Sequence, residues 1–410
     1  MIGNILLSIV TLLLFSGYLS PVYSQWVEKS SMPVARSGVS ATNLGGKIYL
    51  IGGKNLNVYF DRVDIYDPQA DSWDTTSAVN LGYARSDAAC VAYGGRIFLI
   101  GGRNQKGALK QVEVFDPDSN HWQIVDELKG PRDGALAQVL DDTLLVIGGV
   151  DNEGVYIEKI EYYDIVNDSW KNTNIKLSPS RAGGLSAAHK DTLWIFGGFY
   201  FSPLSSSLKF SSAKIWAPGP ELTLARGEGT AVVIGDSIML IGGESASGTV
   251  ALVEIYNIKS GTIEPGLSLP EPRAGHTAVT YEDKIYVFGG HGENPGNVFR
   301  SVLCYDAKST GITEMIKPEQ YLLLESYPNP FNSETRISLS ISESATINLS
   351  VFDVRGRKIS TLIDGRINPG TQQTYWNGLS DGHRSIASGV YFLRLRTENR
   401  ILTRKLVYIR

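Results

Sequence analysis

The sequence predicts an all-β protein in two parts, a closed ring of six four-stranded sheets followed by a small β-sandwich. Glycine supplies 43 of the 410 residues, and Tyr (20) is more frequent than Phe (13). Such a composition favours short strands joined by tight turns. An apolar strand that ends in Gly-Gly recurs six times, and the last part of the chain alternates apolar and polar residues. This alternation is typical of strands with one buried face.

The six repeats share landmarks at fixed spacing. An Arg stands 16 residues before each Gly-Gly pair, an aromatic-Asp dipeptide ends the next strand in most repeats, and a Trp follows seven residues later in the first three. A four-stranded unit of this kind buries its faces only against its neighbours, so we expect a closed ring. The arginines are Arg36, Arg85, Arg132, Arg181, Arg226 and Arg273, and the pairs begin at Gly52, Gly101, Gly148, Gly197, Gly242 and Gly289.

These landmarks resemble the kelch repeat. Residues 25–317 therefore look like a six-bladed kelch β-propeller, with one repeat for each blade. Blade four departs from the pattern because it lacks the Tyr-Asp dipeptide. Blades five and six depart from it because Ile263 and Ile312 stand where the Trp is expected.

Closure of the ring is predicted from the first residues of the propeller. Trp26 stands ten residues before Arg36, as Trp122 stands ten residues before Arg132. We therefore expect residues 25–30 to supply the fourth strand of blade six. In the alternative arrangement, residues 311–316 supply that strand and Trp26 lies outside the ring.

Residues 1–24 are predicted to be a secretory signal peptide. The apolar run from Ile5 to Leu19 is too short to span a bilayer comfortably, and Val22-Tyr23-Ser24 loosely fits a cleavage pattern. The segment before the run has no Lys or Arg, and the alternative is a buried N-terminal strand. The rest of the sequence contains no window that predicts a transmembrane helix.

Residues 326–410 form a second module after a linker at 318–325. Their short alternating strands predict an immunoglobulin-like β-sandwich. The module opens with Tyr-Pro-Asn-Pro-Phe-Asn at Tyr327, has an Asp-x-x-Gly-Arg turn at Asp353, continues with Ala-Ser-Gly-Val-Tyr-Phe at Ala387, and ends near Lys405-Leu-Val.

Together these motifs resemble a type A C-terminal sorting domain of the type IX (Por) secretion system. The resemblance implies that residues 326–410 engage the type IX machinery. It also implies that the protein is secreted or held on the outer cell surface of a Gram-negative bacterium. The alternative is an ordinary immunoglobulin-like accessory domain.

Composition excludes several other functions. The formal net charge of −4 gives no basic excess for nucleic acid. Cys90 and Cys304 cannot form a disulfide framework, and no CxxC motif is present. Five scattered His argue against a His-rich metal centre, so we expect neither a metal nor another cofactor. No Ser-His-Asp set, phosphate-binding loop or EF-hand motif is recognisable.

The six arginines are the first candidates for a ligand site. Each begins the innermost strand of its blade, and the matching position lines the central pocket in kelch propellers that bind acidic peptides. The resemblance thus implies an Arg-lined face that attracts anionic groups of a protein or glycan. In the alternative interpretation each Arg is architectural and binds backbone carbonyls of the next blade.

Departures from the repeat supply the remaining candidates. Asp87 and Glu228 replace a Gly two residues after the Arg, in blades that lie opposite each other. We expect them to neutralise the arginines; the alternative is an acid/base pair. Tyr200 and His291, in the variable loops after Gly-Gly, are further candidates for ligand contacts.

The preferred function is non-catalytic binding. Galactose-oxidase-like copper chemistry is rejected because the channel positions offer no His pair. The enzymatic alternative is a sialic acid mutarotase-like activity, in which Glu228 acts as acid/base beside Arg226 and the other channel arginines.

Overall fold

The secondary structure is all β in the part of the chain that the structure describes. The computed structural model describes residues 26–211, 215–294, 296–307, 322–327, 329–341, 344–368, 370–382, 384–397 and 401–409. The predicted signal peptide, residues 1–24, lies outside these ranges. Within them, no helix is long and apolar enough to cross a membrane.

Six four-stranded antiparallel sheets form the blades of a β-propeller. In each blade the strands follow one another outward from the axis, and the six innermost strands contact each other in one closed cycle. Blade one consists of Ser40–Leu44, Lys47–Ile51, Val63–Asp67 and Ser72–Asp74, and blade two of Ala89–Tyr93, Arg96–Ile100, Val112–Asp116 and His121–Ile124. Blade three consists of Leu136–Leu140, Thr143–Ile147, Lys159–Asp164 and Ser169–Lys176, and blade four of Leu185–His189, Thr192–Phe196, Ser207–Ser211 and Trp216–Pro218. Blade five consists of Thr230–Ile234, Ser237–Ile241, Val253–Asn257 and Ile263–Pro265, and blade six of Thr277–Tyr281, Lys284–Phe288, Val302–Asp306 and Val27–Lys29.

The core of the propeller lies between neighbouring blades. The second strands are apolar on both faces because each face packs against a different blade. In blade one, Ile51 packs with Leu99 of blade two, whereas Ile48 and Leu50 pack with Phe288 of blade six. These side chains are 0–1% exposed, and full burial of one such side chain stabilises the fold by about 1.5–3 kcal/mol.

The ring closes as the sequence predicts. Val27–Lys29 pairs antiparallel with Val302–Asp306 and completes blade six. Trp26 donates its indole N–H to the carbonyl oxygen of Leu267 at 3.0 Å and packs on the ring of Tyr305, with 5.3 Å between centroids. The segment 311–316 of the alternative arrangement lies outside the described residues.

A ring of six backbone hydrogen bonds surrounds the axis. The six residues that form it, the axial ring, lie two positions after the repeat arginines, and all have φ between 52° and 61°. Four are Gly, which adopts this conformation without steric cost, whereas Asp87 and Glu228 adopt it as non-Gly residues. In each hydrogen bond, 2.7–3.2 Å long, the first residue donates its N–H to the carbonyl of the second. The pairs are Asp87 to Gly38, Gly134 to Asp87, Gly183 to Gly134, Glu228 to Gly183, Gly275 to Glu228 and Gly38 to Gly275.

Short hairpins project from four of the loops that follow Gly-Gly. They lie in blades one, two, four and five. They are on the side of the ring where the repeat arginines precede the innermost strands. Their strand pairs are Lys54–Asn55 with Val58–Tyr59, Arg103–Asn104 with Gly107–Ala108, Phe199–Tyr200 with Ser202–Pro203, and Glu244–Ser245 with Gly248–Thr249.

The C-terminal module is the predicted β-sandwich. Its core includes Ile337, Leu349, Trp376 and Leu393, each at most 2% exposed. One sheet contains, in spatial order, Leu322–Tyr327, Thr335–Ile341 and Gly370–Trp376. The other contains, in spatial order, Lys358–Ile367, Ala345–Asp353, Gly389–Arg396 and Ile401–Tyr408.

The first strand of the sandwich begins earlier than the sequence motifs suggested. We expected residues 318–325 to be a linker. Residues 318–321 lie outside the described residues, but Leu322–Tyr327 is one strand that pairs antiparallel with Thr335–Ile341. The expectation is wrong for residues 322–325 because Tyr327, the first residue of the Tyr-Pro-Asn-Pro motif, ends this strand and does not start the module.

Candidate functional site

The six repeat arginines are buried inside the blades. Each is at most 2% exposed and donates a hydrogen bond at 2.8–3.1 Å to the carbonyl of the first Gly of its own Gly-Gly pair. The carbonyl of the same Arg accepts the N–H of the second Gly in the preceding blade, as Arg85 does from Gly53 at 2.8 Å. The constant 16-residue interval therefore reflects two hydrogen bonds of each Arg. Its side chain makes one within its own blade, and its backbone carbonyl makes the other with the preceding blade.

Each arginine also has a polar side-chain partner. Four arginines form ion pairs with a buried carboxylate on the third strand, and two donate to the hydroxyl of a half-buried serine directly before that strand. The shared position of these carboxylates, two residues before the aromatic of the third strand, was visible in the sequence. The pairs are Arg36–Asp64, Arg85–Glu113, Arg132–Glu161, Arg226–Glu254, Arg181–Ser206 and Arg273–Ser301.

The expectation of an Arg-lined ligand face is therefore wrong. All the guanidinium groups are turned into their own blades, where carbonyls and carboxylates bind them. Burial lowers the pKa of Arg36 to about 10, although Asp64 opposes the shift, so the group stays charged at neutral pH. The architectural alternative is correct, except that the carbonyls bound by the side chains belong to the same blade.

Residues that directly follow the Gly-Gly pairs form the mouth of the propeller. Each is paired through its backbone with the residue after the repeat Arg, as Lys54 is with Ser37. The side chains at this position differ: cationic in blades one and two, apolar in blades three and four, Glu and His in blades five and six. This mouth ring consists of Lys54, Arg103, Val150, Phe199, Glu244 and His291.

A pocket of about 380 Å³ lies on the axis between the axial ring and the mouth ring. Asp87 and Glu228 line it together with Lys54, Arg103 and Asp133. Phe199 and Tyr156 supply apolar and aromatic surface. The pocket thus combines hydrogen-bond acceptors, donors and ring faces, and it is richer in charge than most small-ligand sites.

Charges on one side of the pocket are paired across neighbouring blades. Lys54 Nζ lies 3.2 Å from Asp87 Oδ2, and Arg103 Nη1 lies 3.1 Å from Asp133 Oδ2. Burial raises the pKa of Asp133 to about 6, and the nearby Asp87 carboxylate adds to the rise. Asp87 therefore neutralises a lysine of the mouth ring and not, as we expected, the repeat arginines.

Glu228 lines the pocket from blade five and lies close to two residues of the mouth ring, Glu244 and His291. His291 Nε2 lies 3.8 Å from Glu228 Oε2. Interaction with Glu228 raises the pKa of His291, against the opposing effect of burial. Burial raises the pKa of Glu244, and Glu228 raises it further. Glu228 thus faces an imidazole, whereas Arg226 lies inside blade five.

Aromatic side chains form a patch beside the pocket. The ring centroid of Tyr156 lies 5.1 Å from that of Tyr200 and 5.3 Å from that of Phe201. Tyr200 and Phe201 are 43% and 81% exposed. Tyr200 therefore lies at the rim of the pocket and not in it, while Tyr156, which the sequence analysis did not select, contributes to both.

The architecture defines a kelch β-propeller followed by a C-terminal sorting domain. The chain belongs to the Attractin/LZTR1 beta-propeller family, which matches residues 48–253. The Kelch motif matches residues 272–309, and the secretion system C-terminal sorting domain matches residues 325–409. Both predicted resemblances are confirmed, and the sorting domain indicates export by the type IX system.

Curated relatives match part of this chain. Alpha-scruin of Limulus polyphemus is 29% identical over 167 residues, which are 37% of this chain and 18% of that protein. Kelch-like protein terF of Aspergillus terreus is 23% identical over 286 residues, 65% of this chain and 52% of the relative. The chain therefore spans between about a fifth and a half of these curated relatives.

A solved structure shares the fold. The chain described as "Structure of YjhT" superposes with a TM-score of 0.60 and 15% identity, over 67% of this chain and 96% of that one. At this identity the similarity shows the propeller architecture.

We predict that Arg226→Ala destabilises the fold. It leaves Glu254 charged and buried without its partner, which costs about 3–5 kcal/mol of the free energy of unfolding. Arg300→Ala, at an exposed arginine, is the control and changes it by less than about 0.5 kcal/mol. Urea unfolding at pH 7 measures both. An Arg226→Ala protein as stable as the wild type would contradict the structural role.

A second prediction concerns Asp133. Its pKa is about 6 in the folded protein and about 4 in the unfolded chain. Between these values the folded state binds more protons, so the wild type loses stability as the pH rises. Asp133→Asn removes this loss. Its free energy of unfolding relative to wild type should therefore rise by on the order of 1–3 kcal/mol between pH 4.5 and 7.

Urea unfolding at the two pH values tests this second prediction. Glu153→Gln, at an exposed residue of the loop that follows the Gly-Gly pair of blade three, is the control and should show no such change. A constant difference between Asp133→Asn and wild type would show that the carboxyl ionises normally.

Proposed function

We propose that this chain is an exported binding protein whose axial pocket holds a glycan. The observation that carries the proposal is the contrast between the repeat arginines and the mouth ring. Both sets have equivalent backbone positions in six blades, yet the arginines are identical and the mouth-ring residues differ. Six equivalent blades could carry the same residue at each position of the mouth ring. Recognition of an asymmetric ligand, in contrast, requires different side chains around the ring.

The chemistry of the pocket favours a ligand rich in hydroxyl groups. The Asp87 and Glu228 carboxylates accept hydrogen bonds, while Lys54 and Arg103 donate them. A sugar hydroxyl is both donor and acceptor and satisfies either kind of group. The apolar face of a sugar ring would pack on Tyr200 and Phe201 at the rim. A pocket on a rigid ring limits the entropy lost on binding.

The two terminal segments support the proposed location of the protein. The apolar segment within residues 1–24 is suited to export across the inner membrane as a signal peptide. Residues 326–410 would then engage the type IX machinery, which carries the propeller to the outer surface of a Gram-negative cell or into the medium. There the pocket meets extracellular glycans.

A glycan array probed with the untagged full chain tests the ligand class. We expect a defined set of glycans to bind, and Tyr200→Ala to weaken binding about 3- to 10-fold through lost ring contacts. Asp87→Asn should weaken it as well, because the amide is a poorer acceptor than the carboxylate. Tyr375→Ala, at a half-exposed tyrosine of the C-terminal module, is the control.

Unchanged binding in both Tyr200→Ala and Asp87→Asn would place the ligand elsewhere on the protein. Binding to a protein array with no binding to glycans would show that the ligand is a protein.

One observation favours the mutarotase-like alternative. Glu228 lies in the pocket beside His291, as an acid/base group requires. The partner Arg226 is absent from the pocket, so Lys54 or Arg103 would have to hold the carboxylate of sialic acid. This alternative predicts faster anomeric exchange of sialic acid by proton NMR, abolished in Glu228→Gln. Exchange no faster than in buffer would eliminate it.

A further inference from the structure

We propose that Glu228, Glu244 and His291 form a binding site for a divalent transition-metal ion of the zinc type. One potential ligand atom from each residue lies within 4.8 Å of the other two. The sequence analysis predicted no metal because it counted His residues, whereas this site combines one imidazole with two carboxylates from different segments. The proposal does not depend on the identity of the glycan or on its binding.

The backbone of each of the three residues is fixed by two hydrogen bonds. Glu228 belongs to the axial ring, and Glu244 and His291 are bonded in both directions to Gly227 and Ala274, at 2.7–3.0 Å. The propeller therefore brings the three side chains together before any ion arrives. Such preorganisation is what a metal site on a rigid scaffold requires.

The imidazole of His291 is oriented for coordination. Its Nδ1 lies 3.2 Å from the carbonyl oxygen of Gly292, and a carbonyl only accepts, so Nδ1 carries the proton in this contact. In the neutral ring, Nε2 is then left with a lone pair that an ion can use, 3.8 Å from Glu228 Oε2. A backbone carbonyl that holds the far nitrogen of a histidine is the usual support of a metal-binding imidazole.

Charge and ligand type also point to a dication. Two carboxylates share the site with one imidazole, and the nearest lysine of the mouth ring, Lys54, is already paired with Asp87. Nitrogen and oxygen donors together suit zinc-type ions, whereas magnesium and calcium prefer oxygen alone. The Glu228 side chain is 43% exposed, so water or a ligand oxygen can reach the remaining positions of the ion.

Calorimetric titration of ZnCl₂ into the untagged, chelator-treated full chain tests the site. We expect saturable binding of one ion per chain. Glu244→Gln and His291→Gln should each weaken it at least about 10-fold, as loss of a supporting group already does. Glu153→Gln should bind as wild type does. Absence of saturable binding, or an affinity in both Glu244→Gln and His291→Gln equal to that of the wild type, would overturn the proposal.

Two further measurements keep the test specific. Urea unfolding of the metal-free variants should match the wild type, which shows that weaker binding is not caused by misfolding. Cobalt(II) in place of zinc should give a visible absorption band that His291→Gln shifts or removes, because the imidazole is a ligand. An identical band in that variant would show that the ion binds elsewhere. No glycan is present, so failure here leaves the proposed function unaffected.

Discussion

The axial ring of backbone hydrogen bonds is the constraint on which the rest of the structure depends. Each of its residues donates to one neighbouring blade and accepts from the other, so no blade can rotate without breaking two bonds. The ring requires φ near 55°, which explains Gly at four positions. Asp87 and Glu228 adopt this conformation at a cost of the order of 1–3 kcal/mol each. What the protein gains is two carboxylates at fixed points in the pocket.

The repeat arginines provide a second set of hydrogen bonds within and between the blades. A buried guanidinium binds a carbonyl of its own blade, and the carbonyl of the same residue binds the preceding blade. This arrangement uses the planar group with five donors for which lysine is no substitute. Architecture and ligand chemistry are therefore separated by position: the arginine is structural, and the residue after Gly-Gly is free to vary.

The sequence predicted the architecture well because periodic spacing reports it directly. Six identical intervals gave six blades, and Trp26 identified the closing strand because it matched Trp122. The same regularity misled the site prediction, since a repeated Arg fits a lined channel as well as a buried tie. The acidic residue two positions before the third-strand aromatic, as in Asp64 and Glu113, would have favoured the buried arginine over the lined channel. Glu244 was missed because its neighbours His291 and Glu228 approach it only in the folded ring.

Amide-resolved hydrogen exchange tests the central claim most directly. If the axial ring holds the blades together, the amide protons of Asp87 and Glu228 exchange only by large-scale unfolding. Their rates should then match those of the buried second strands, although both side chains face the pocket. Exchange as fast as in the exposed loop around Glu153 would show that the ring opens locally, and that the pocket is not held by it.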